Sequence, residues 1–231
     1  MILCLFISVD LLCQKTVAKI HFFRYKDVIS SINLRFSLKI AIFAAMKLVR
    51  RPWVWFVRFR HRRGYGVHSP FAFEFINDVV YEQTSYYAYQ TLNLLHPWWV
   101  RWGGLYPLTC RRLLFRLGNY VHPKTFRVLG ERPIEQAYLT KAVPTAQWVD
   151  NNAQFLFVTH EQIKDAQPLL PQMPEQGVMV IEGIHADSAS RALWRKLRED
   201  SHSGVTFDLY TYGIIFFNPR LHKQHYIVNF P

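Results

Sequence analysis

The chain has 231 residues, of which half are hydrophobic and 16% are aromatic. That length buries a core large enough to fold without disulfides or a structural metal, and the composition excludes a disordered or low-complexity protein. The three cysteines, Cys4, Cys13 and Cys110, have no CxxC spacing. This excludes a disulfide framework and a thiolate zinc site, and it indicates a reducing, cytoplasmic location. No run of about 18 uncharged apolar residues occurs that would form a conventional transmembrane helix.

The net charge of +12 is concentrated at the front of the chain. Residues 47–63 hold seven Lys or Arg and no acid, whereas residues 64–231 hold fifteen Lys or Arg against fourteen Asp or Glu. The body of the protein is therefore nearly neutral, and specific binding of nucleic acid is not expected.

Residues 1–45 do not have the pattern of a folded domain. The opening run MILCLFISVDLLC lacks a basic start and is interrupted by Asp10, so it does not match a signal peptide. A more coherent segment begins at Met46. We therefore expect Met46 to be the natural start and residues 1–45 to be a poorly structured upstream extension.

Residues 46–107 are predicted to form a basic arm, a helix and an aromatic flap. The arm, 47–63, interleaves arginine with aromatic residues, so it either docks on the body or lies on an anionic membrane surface or a nucleic-acid backbone. Ser69 and Pro70 then form a typical helix start. The loop-rich stretch 83–107 is a lid over an apolar or aromatic substrate, or a flap that packs on its own aromatics.

Residues 108–231 alternate between helix and strand signals. Helices are predicted at 108–121, 133–143, 160–170 and 188–199, and strands at 125–129, 154–159 and 177–182. Apolar strands separated by single helices predict a parallel sheet covered on both faces. The extended runs at 205–211, 213–217 and 225–230 predict an antiparallel hairpin that closes the sheet. The fold class is therefore α/β.

The order of these elements resembles a known superfamily. A strand ending in Val128-Leu129-Gly130-Glu131, followed by alternating βα units and a terminal hairpin, resembles the class I S-adenosylmethionine-dependent methyltransferases. The runs VMVIEGIHAD (178–187) and VTFDLYTYGIIFF (205–217) resemble small O-methyltransferase-like proteins, and GYGVHSPFAFEFI (64–76) and KQHYIVNF (223–230) resemble a bacterial branch of them. The likeness covers about residues 46–231 and implies a Rossmann-like, mostly parallel sheet with a C-terminal antiparallel hairpin.

The resemblance also implies a cofactor, S-adenosylmethionine, held by Gly130, Glu131 and Asp150. In the family, a glycine-rich turn after the first strand lets the backbone approach the methionine part of the cofactor, and an acid after the second strand holds the ribose. Here Gly130 is followed by Arg132, Pro133 and Ile134, where the family has small residues. Cofactor binding is therefore predicted to be weak or lost.

The interval between the first strand and the next strong strand signal is short. Only three residues separate Asp150 from the strand predicted at 154–159, whereas parallel neighbours need a crossover of about a dozen residues. We therefore predict that 146–149 is a loop or a short antiparallel piece. The alternative is that 154–159 is not the fourth strand of the family. The interval 132–154 has room for one crossover helix, so the fold is predicted to be truncated.

Candidate catalytic residues follow the later strands. Metal-dependent O-methyltransferases hold a divalent cation with acids at these places, and here Glu182 and His185 stand at one of them and His160 and Glu161 at the other. The four side chains either converge on a metal or cap helices and stay hydrated. We favour the second reading, predict no metal site, and take Glu182 or His185 as the candidate base.

Three further polar residues have a structural interpretation. Ser188 after Asp187 has the pattern of a helix N-cap. Cys110 is expected to be packed rather than reactive. Asp208 lies within a strand, where it either orients a neighbouring group or faces solvent.

These observations support three hypotheses about function. The leading one is a methyltransferase-like protein with a degenerate cofactor site and weak or no catalysis, acting as a binding or regulatory module. The second is an active S-adenosylmethionine-dependent O-methyltransferase acting on a small or aromatic acceptor, which the sequence does not identify. The third is a peripheral membrane protein anchored through residues 47–63.

Overall fold

A computed structural model describes residues 54–61, 63–96 and 106–230, without the side chains of residues 106 and 107. The chain divides into two units, Met1–Phe56 and Val57–Pro231, and every element named below belongs to the second. The upstream extension expected at 1–45, about half of the basic arm and the tryptophan-rich end of the flap lie outside the described residues. In the described part of the chain, no helix combines the length and the apolar character needed to cross a bilayer.

Seven strands form one sheet in the order β2-β1-β3-β4-β6-β5-β7. The strands are β1 (Thr125–Leu129), β2 (Gln147–Trp148), β3 (Phe155–Val158), β4 (Val178–Glu182), β5 (Val205–Asp208), β6 (Tyr212–Phe216) and β7 (His225–Ile227). Strands β2, β1, β3 and β4 are parallel, β6 runs antiparallel between β4 and β5, and β7 is parallel to β5. This is the predicted mostly parallel α/β sheet with a C-terminal antiparallel hairpin.

The helices are shorter and less regular at the front of the chain than in the body. The α-helices are α1 (Pro70–Glu74), α2 (Ala88–Asn93), α3 (Tyr106–Val121), α4 (Pro133–Ala142), α5 (Ala166–Leu169) and α6 (Ser188–Glu199). Short 3-10 helices occur at Phe59–His61, His160–Asp165 and Leu170–Gln172, and a π-helix, Phe75–Val80, continues α1. The predicted crossover helix after β1 is confirmed as α4, which begins at Pro133 as expected.

The helices cover both faces of the sheet because alternate strand residues are apolar on both sides. On one face, Phe155, Phe157 and Phe207 pack with residues of α1, the π-helix, α3 and α4. On the other face, Leu156 and Val158 pack with residues of α5 and α6. Successive side chains of a strand point to opposite faces. The continuous apolar runs therefore supply two cores, as a sheet buried on both sides requires.

The continuous helix formed by α1 and the π-helix is capped at both of its ends by side chains. The hydroxyl of Ser69 accepts a hydrogen bond from the Ala72 amide at 3.4 Å, and Pro70 is the first helical residue, as predicted. At the other end, the buried side chain of Arg116 from α3 donates to the carbonyl oxygens of Val79 and Val80 at 2.7 and 3.1 Å. The arginine therefore satisfies carbonyls that the end of a helix leaves without intrahelical partners.

The prediction that residues 146–149 form a loop or a short antiparallel piece is wrong. β2 is a parallel partner of β1, with Gln147 opposite Thr125 and Trp148 opposite Phe126. β2 and β3 are not neighbours, since β1 lies between them. The segment between β2 and β3 therefore joins strands on opposite sides of β1, and it does so without a helix. Gln154 ties this segment to the residue before β1, because its side-chain oxygen accepts a hydrogen bond from the Lys124 amide at 2.7 Å.

The N-cap predicted at Ser188 lies one residue earlier. Asp187 is the cap of α6, and its carboxylate accepts a hydrogen bond from the Ser190 amide at 2.8 Å. Ser188 is the first helical residue. Aspartate and serine are both favoured N-caps, and the extended backbone of Asp187 makes that residue the cap.

Candidate functional site

A cavity of about 680 Å³ lies between β1, α4 and the segment that follows β2. Because β2 pairs only with the first two residues of β1, the rest of that strand has no strand neighbour on this side. The helix contributes one stripe of side chains at helical spacing. The lining residues are Arg127, Val128, Leu129, Gly130, Pro133, Gln136, Ala137, Thr140, Trp148, Val149, Asp150 and Gln162. The cavity, which we call the α4 cavity, therefore occupies the space that a longer second strand would fill.

The α4 cavity brings together two of the three predicted cofactor-binding residues. Gly130 and Asp150 both line it, and Asp150 is exposed at its rim. Glu131 is exposed and is not among the lining residues. The ring of Trp148 is 42% exposed at the cavity, with Phe126 beside it at a centroid distance of 5.3 Å.

Gly130 has a backbone conformation and surroundings that no other residue type fits. Its φ is +97°, and a Cβ atom at this position would lie 2.5 Å from Oγ1 of Thr159 and 2.8 Å from its Cγ2. Glycine adopts a positive φ without the steric cost that a Cβ atom brings. The side chain of Thr159 therefore fills the space beside Gly130 at the end of β1.

Arg132 connects the carboxyl ends of β3 and β4 to the start of α4. Its Nη2 donates to both carboxylate oxygens of Glu161, at 2.9 and 2.8 Å, and to Glu182 at 3.2 Å. The hydrogen bond from Arg132 lowers the pKa of Glu161 to about 2, and the same bond raises the pKa of Arg132. We call these three residues the Arg132 network.

The predicted catalytic pair, Glu182 and His185, is divided between two clusters. Glu182 belongs to the Arg132 network, whereas Nε2 of His185 lies 2.7 Å from Oδ2 of Asp208. His160 lies 3.5 Å from a third acid, Asp187. No group of three or more potential ligands in the described residues could hold a metal ion.

The His185 cluster combines Arg58, which precedes the sheet in sequence, with three residues near the ends of β4 and β5, namely His185, Asp208 and Tyr210. Arg58 donates from Nη1 to Oδ1 of Asp208 at 2.8 Å, and its Nη2 lies 3.3 Å from Nε2 of His185. The ring of Tyr210 stacks on His185 with a centroid distance of 5.1 Å and an angle of 11°. The guanidinium of Arg58 also lies 5.2 Å from the centre of the Tyr210 ring.

Asp208 is the charged centre of this cluster and is only 4% exposed. Burial opposes its ionisation, but hydrogen bonds with His185 and Arg58 outweigh the burial and hold the pKa of Asp208 well below its ordinary value. An ionised, buried carboxylate beside an imidazole fixes the orientation of the ring. Of the two readings for Asp208, orientation of a neighbouring group is therefore confirmed.

Two residues of these clusters carried little signal in the sequence. Arg58 lies in a segment with many arginines, so nothing distinguished it from its neighbours. Arg132 stood out only as a bulky residue after Gly130, because an ion network across three loops requires knowledge of which loops are adjacent. Cys110 is buried in the core, as predicted.

Comparison with known proteins gives partial structural matches only. No protein-family model matches the sequence, and neither does any curated protein. Two solved structures of Haemonchus contortus phosphoethanolamine N-methyltransferase 2 match 45% of this chain. One is in complex with S-adenosyl-L-methionine (TM-score 0.30, 14% identity), and the other with phosphomonomethylethanolamine and S-adenosylhomocysteine (TM-score 0.31, 12% identity).

The matched regions cover 36% and 37% of those two structures, so this chain spans little more than a third of their length. Matches of this extent define no family. The class of fold therefore rests on the sheet itself, which is a doubly covered, mostly parallel α/β sheet ending in an antiparallel hairpin.

Proposed function

We propose that this chain is a methyltransferase-like α/β protein that binds a small ligand at the carboxyl edge of its sheet and does not transfer methyl groups. The strand order and the terminal hairpin support the methyltransferase-like part of this proposal. In such sheets, ligands bind outside the carboxyl ends of the strands. The α4 cavity is at that position, and its volume is within the range of small-molecule sites, about 300–1,000 Å³.

The observation that carries the proposal is the Arg132 network. S-adenosylmethionine, the cofactor implied by the resemblance, needs open backbone near the end of β1 for its methionine part. In this chain Thr159 fills the space beside Gly130, and Arg132 is held by Glu161 and Glu182 across the adjoining strand ends. These residues do not fit the methionine part, so we derive no catalytic step through the cofactor.

The experiment that tests the proposal measures the product of methyl transfer. Purified chain is incubated with S-adenosylmethionine and a set of small aromatic hydroxyl compounds, with and without Mg²⁺, and S-adenosylhomocysteine is quantified by mass spectrometry. We expect no more product from the wild type than from His185→Ala and Glu182→Gln. Product that is formed by the wild type and lost in either variant contradicts the proposal.

An active O-methyltransferase is the second candidate, and the geometry of His185 favours it. A histidine held at 2.7 Å by a buried, ionised aspartate has the arrangement of a general base with its orienting group. In that case His185 would remove the proton of the acceptor hydroxyl and Asp208 would stabilise the imidazolium. Asp208→Asn would then lower kcat and leave KM nearly unchanged. The first proposal instead expects no measurable turnover in the wild type.

A further inference from the structure

The Arg132 network lies directly beside the α4 cavity. Pro133 and Gln162 line the cavity, and each is the sequence neighbour of a network residue, Arg132 and Glu161 respectively. We propose that this network selects the ligand of the cavity, admitting a neutral nucleoside and excluding an adenosyl compound that carries an amino-acid tail. This inference rests on the proposed function, because it names the ligand of the same cleft.

The lining of the cavity offers recognition groups for a base and a ribose. The exposed indole of Trp148 presents an aromatic surface, and nucleobases stack on such surfaces with a gain of about 1–3 kcal/mol per base. Asp150 follows two residues later and is exposed. An ionised carboxylate is an acceptor with two oxygens, so it suits the two vicinal hydroxyls of a ribose.

The charge balance of the lining favours a neutral ligand over a nucleotide. Arg127 and Asp150 are the charged residues among those that line the α4 cavity, and their charges cancel. Phosphate groups are typically bound by several cations or by a helix N-terminus with free amides. The other polar lining residues, Gln136, Thr140 and Gln162, are uncharged donors and acceptors suited to the edge of a base.

The Arg132 network opposes the carboxylate of an amino-acid tail by charge. The network holds two carboxylates and one guanidinium, and Arg132 already donates to both acids. Since the pKa of Glu161 is lowered to about 2, this acid remains ionised at neutral pH. The tail also carries an ammonium, which the two acids attract, so the selection acts on its carboxylate. That carboxylate would meet like charge without a free cation, and such an unpaired charge is an effective means of rejecting a ligand.

Titration calorimetry of the full chain with three probes tests the inference. The probes are adenosine, 5′-deoxy-5′-methylthioadenosine, which carries the thioether without a tail, and S-adenosylhomocysteine. We expect the first two to bind with a Kd at least about tenfold lower than the third, a difference of about 1.4 kcal/mol. Glu161→Gln should reduce this preference to about threefold or less by strengthening S-adenosylhomocysteine binding, because it removes a like charge and releases donors of Arg132. Trp148→Ala should weaken all three probes.

Matched variants separate the network from general effects of charge and of exposed aromatics. Glu175→Gln removes an exposed acid that does not line the cavity, and Tyr87→Ala removes an exposed ring outside it; neither should change the preference. Glu182→Gln supplies a second way to release Arg132 if Glu161→Gln is poorly folded. Thermal unfolding of each variant verifies that it is folded.

Two results would overturn the inference. One is S-adenosylhomocysteine binding as tightly as adenosine to the wild type, and the other is a folded wild type that binds neither adenosine nor methylthioadenosine at millimolar concentration. Neither result measures methyl transfer, so the proposed function is decided separately, by the assay of S-adenosylhomocysteine formation. Conversely, methyl transfer by the wild type contradicts the proposed function, whatever the order of the three affinities.

Discussion

At the scale of single residues, Gly130 combines a positive φ with a close side-chain neighbour. An L-residue in the left-handed region costs about 1–2 kcal/mol from backbone sterics alone. At Gly130 a Cβ atom would also overlap Thr159. At Gly66, where φ is +76°, nothing lies within 4 Å of such an atom. A substitution at Gly66 therefore introduces backbone strain alone, whereas a substitution at Gly130 introduces backbone strain and steric overlap.

Gly130→Ala is expected to lower the free energy of unfolding more than Gly66→Ala does. The difference should be about 1–3 kcal/mol, the usual cost of overpacking, measured by urea denaturation. Thr159→Ala in the Gly130→Ala background should recover part of it, because it removes the two nearest atoms. Equal losses at the two glycines would indicate that Thr159 moves away without cost and that the strand end is more open than we infer.

His225 is the residue whose protonation is most clearly coupled to folding. Burial, with an added contribution from Arg198, lowers its pKa from 6.5 to about 4. Its Nδ1 lies 2.9 Å from the hydroxyl of Thr206, and its Nε2 is buried with no hydrogen-bond partner among the described residues. The folded protein therefore favours the neutral imidazole.

This coupling predicts a loss of stability in mild acid. Between pH 6.5 and about 4 the unfolded chain binds a proton that the folded His225 does not, so the free energy of unfolding falls as the pH falls. The loss attributable to His225 should be about 1–2 kcal/mol, less than the full shift implies because solvent screens a partly accessible ring. His225→Asn should flatten the slope across this range. The same flattening in His122→Asn, at an exposed histidine, would contradict a role for burial.

At the scale of elements, the π-helix Phe75–Val80 depends on a side chain from another helix. Arg116 of α3 is 7% exposed and donates to carbonyl oxygens at the end of the π-helix. Buried carbonyls without partners are costly, and hydrogen bonds from a charged group are among the stronger ones. The end of this helix and the position of α3 are therefore set by one interaction.

Arg116→Met keeps most of the side-chain volume and removes both hydrogen bonds. We expect it to lower the free energy of unfolding by about 3 kcal/mol, measured by chemical denaturation. Hydrogen exchange should become faster at the amides of Phe75–Val80. Arg195→Met, at an exposed position of α6, is the control and should change stability by less than about 0.5 kcal/mol.

At the scale of the whole molecule, the last residues link the sheet to the front of the Val57–Pro231 unit. β7 pairs with β5, and the Asn229 amide donates to the carbonyl of His61 at 3.0 Å. The hydroxyl of Tyr81 donates to the carbonyl of Asn229. Val228, which lies between β7 and Asn229, is 1% exposed and belongs to the main core. The C-terminal segment is thus part of the core.

Val228→Ala should therefore destabilise the entire unit. We expect a loss of about 2 kcal/mol in the free energy of unfolding, with a single cooperative transition in both the wild type and the variant. Ile227→Ala removes a larger side chain that is 39% exposed and should cost less. A separate early transition for Val228→Ala would instead mean that the C-terminal segment unfolds independently of the sheet.

The sequence by itself determined the fold class and most element positions in the body of the chain. β1 and α6 have the predicted bounds, 125–129 and 188–199, and most other predicted elements differ mainly at their ends. The helix predicted at 160–170 is instead divided into a 3-10 helix, the short α5 and a second 3-10 helix. These predictions succeeded because apolar periodicity and caps act within a few neighbouring residues. The parallel pairing of β2 with β1 was mispredicted as a loop or a short antiparallel piece, since it depends on β1 lying between β2 and β3, which is a property of the sheet.

Only the tertiary structure decided which polar side chains meet. Glu182 and His185, three residues apart, belong to different clusters because one faces Arg132 and the other faces Asp208. Arg58 and Asp208 are 150 residues apart and form one ion pair. No local pattern encodes such contacts, because hydrogen bonds and ion pairs form between groups that the strand order makes neighbours. The residues from which a site could be built are therefore visible in the sequence, whereas their partners are a consequence of the folded sheet.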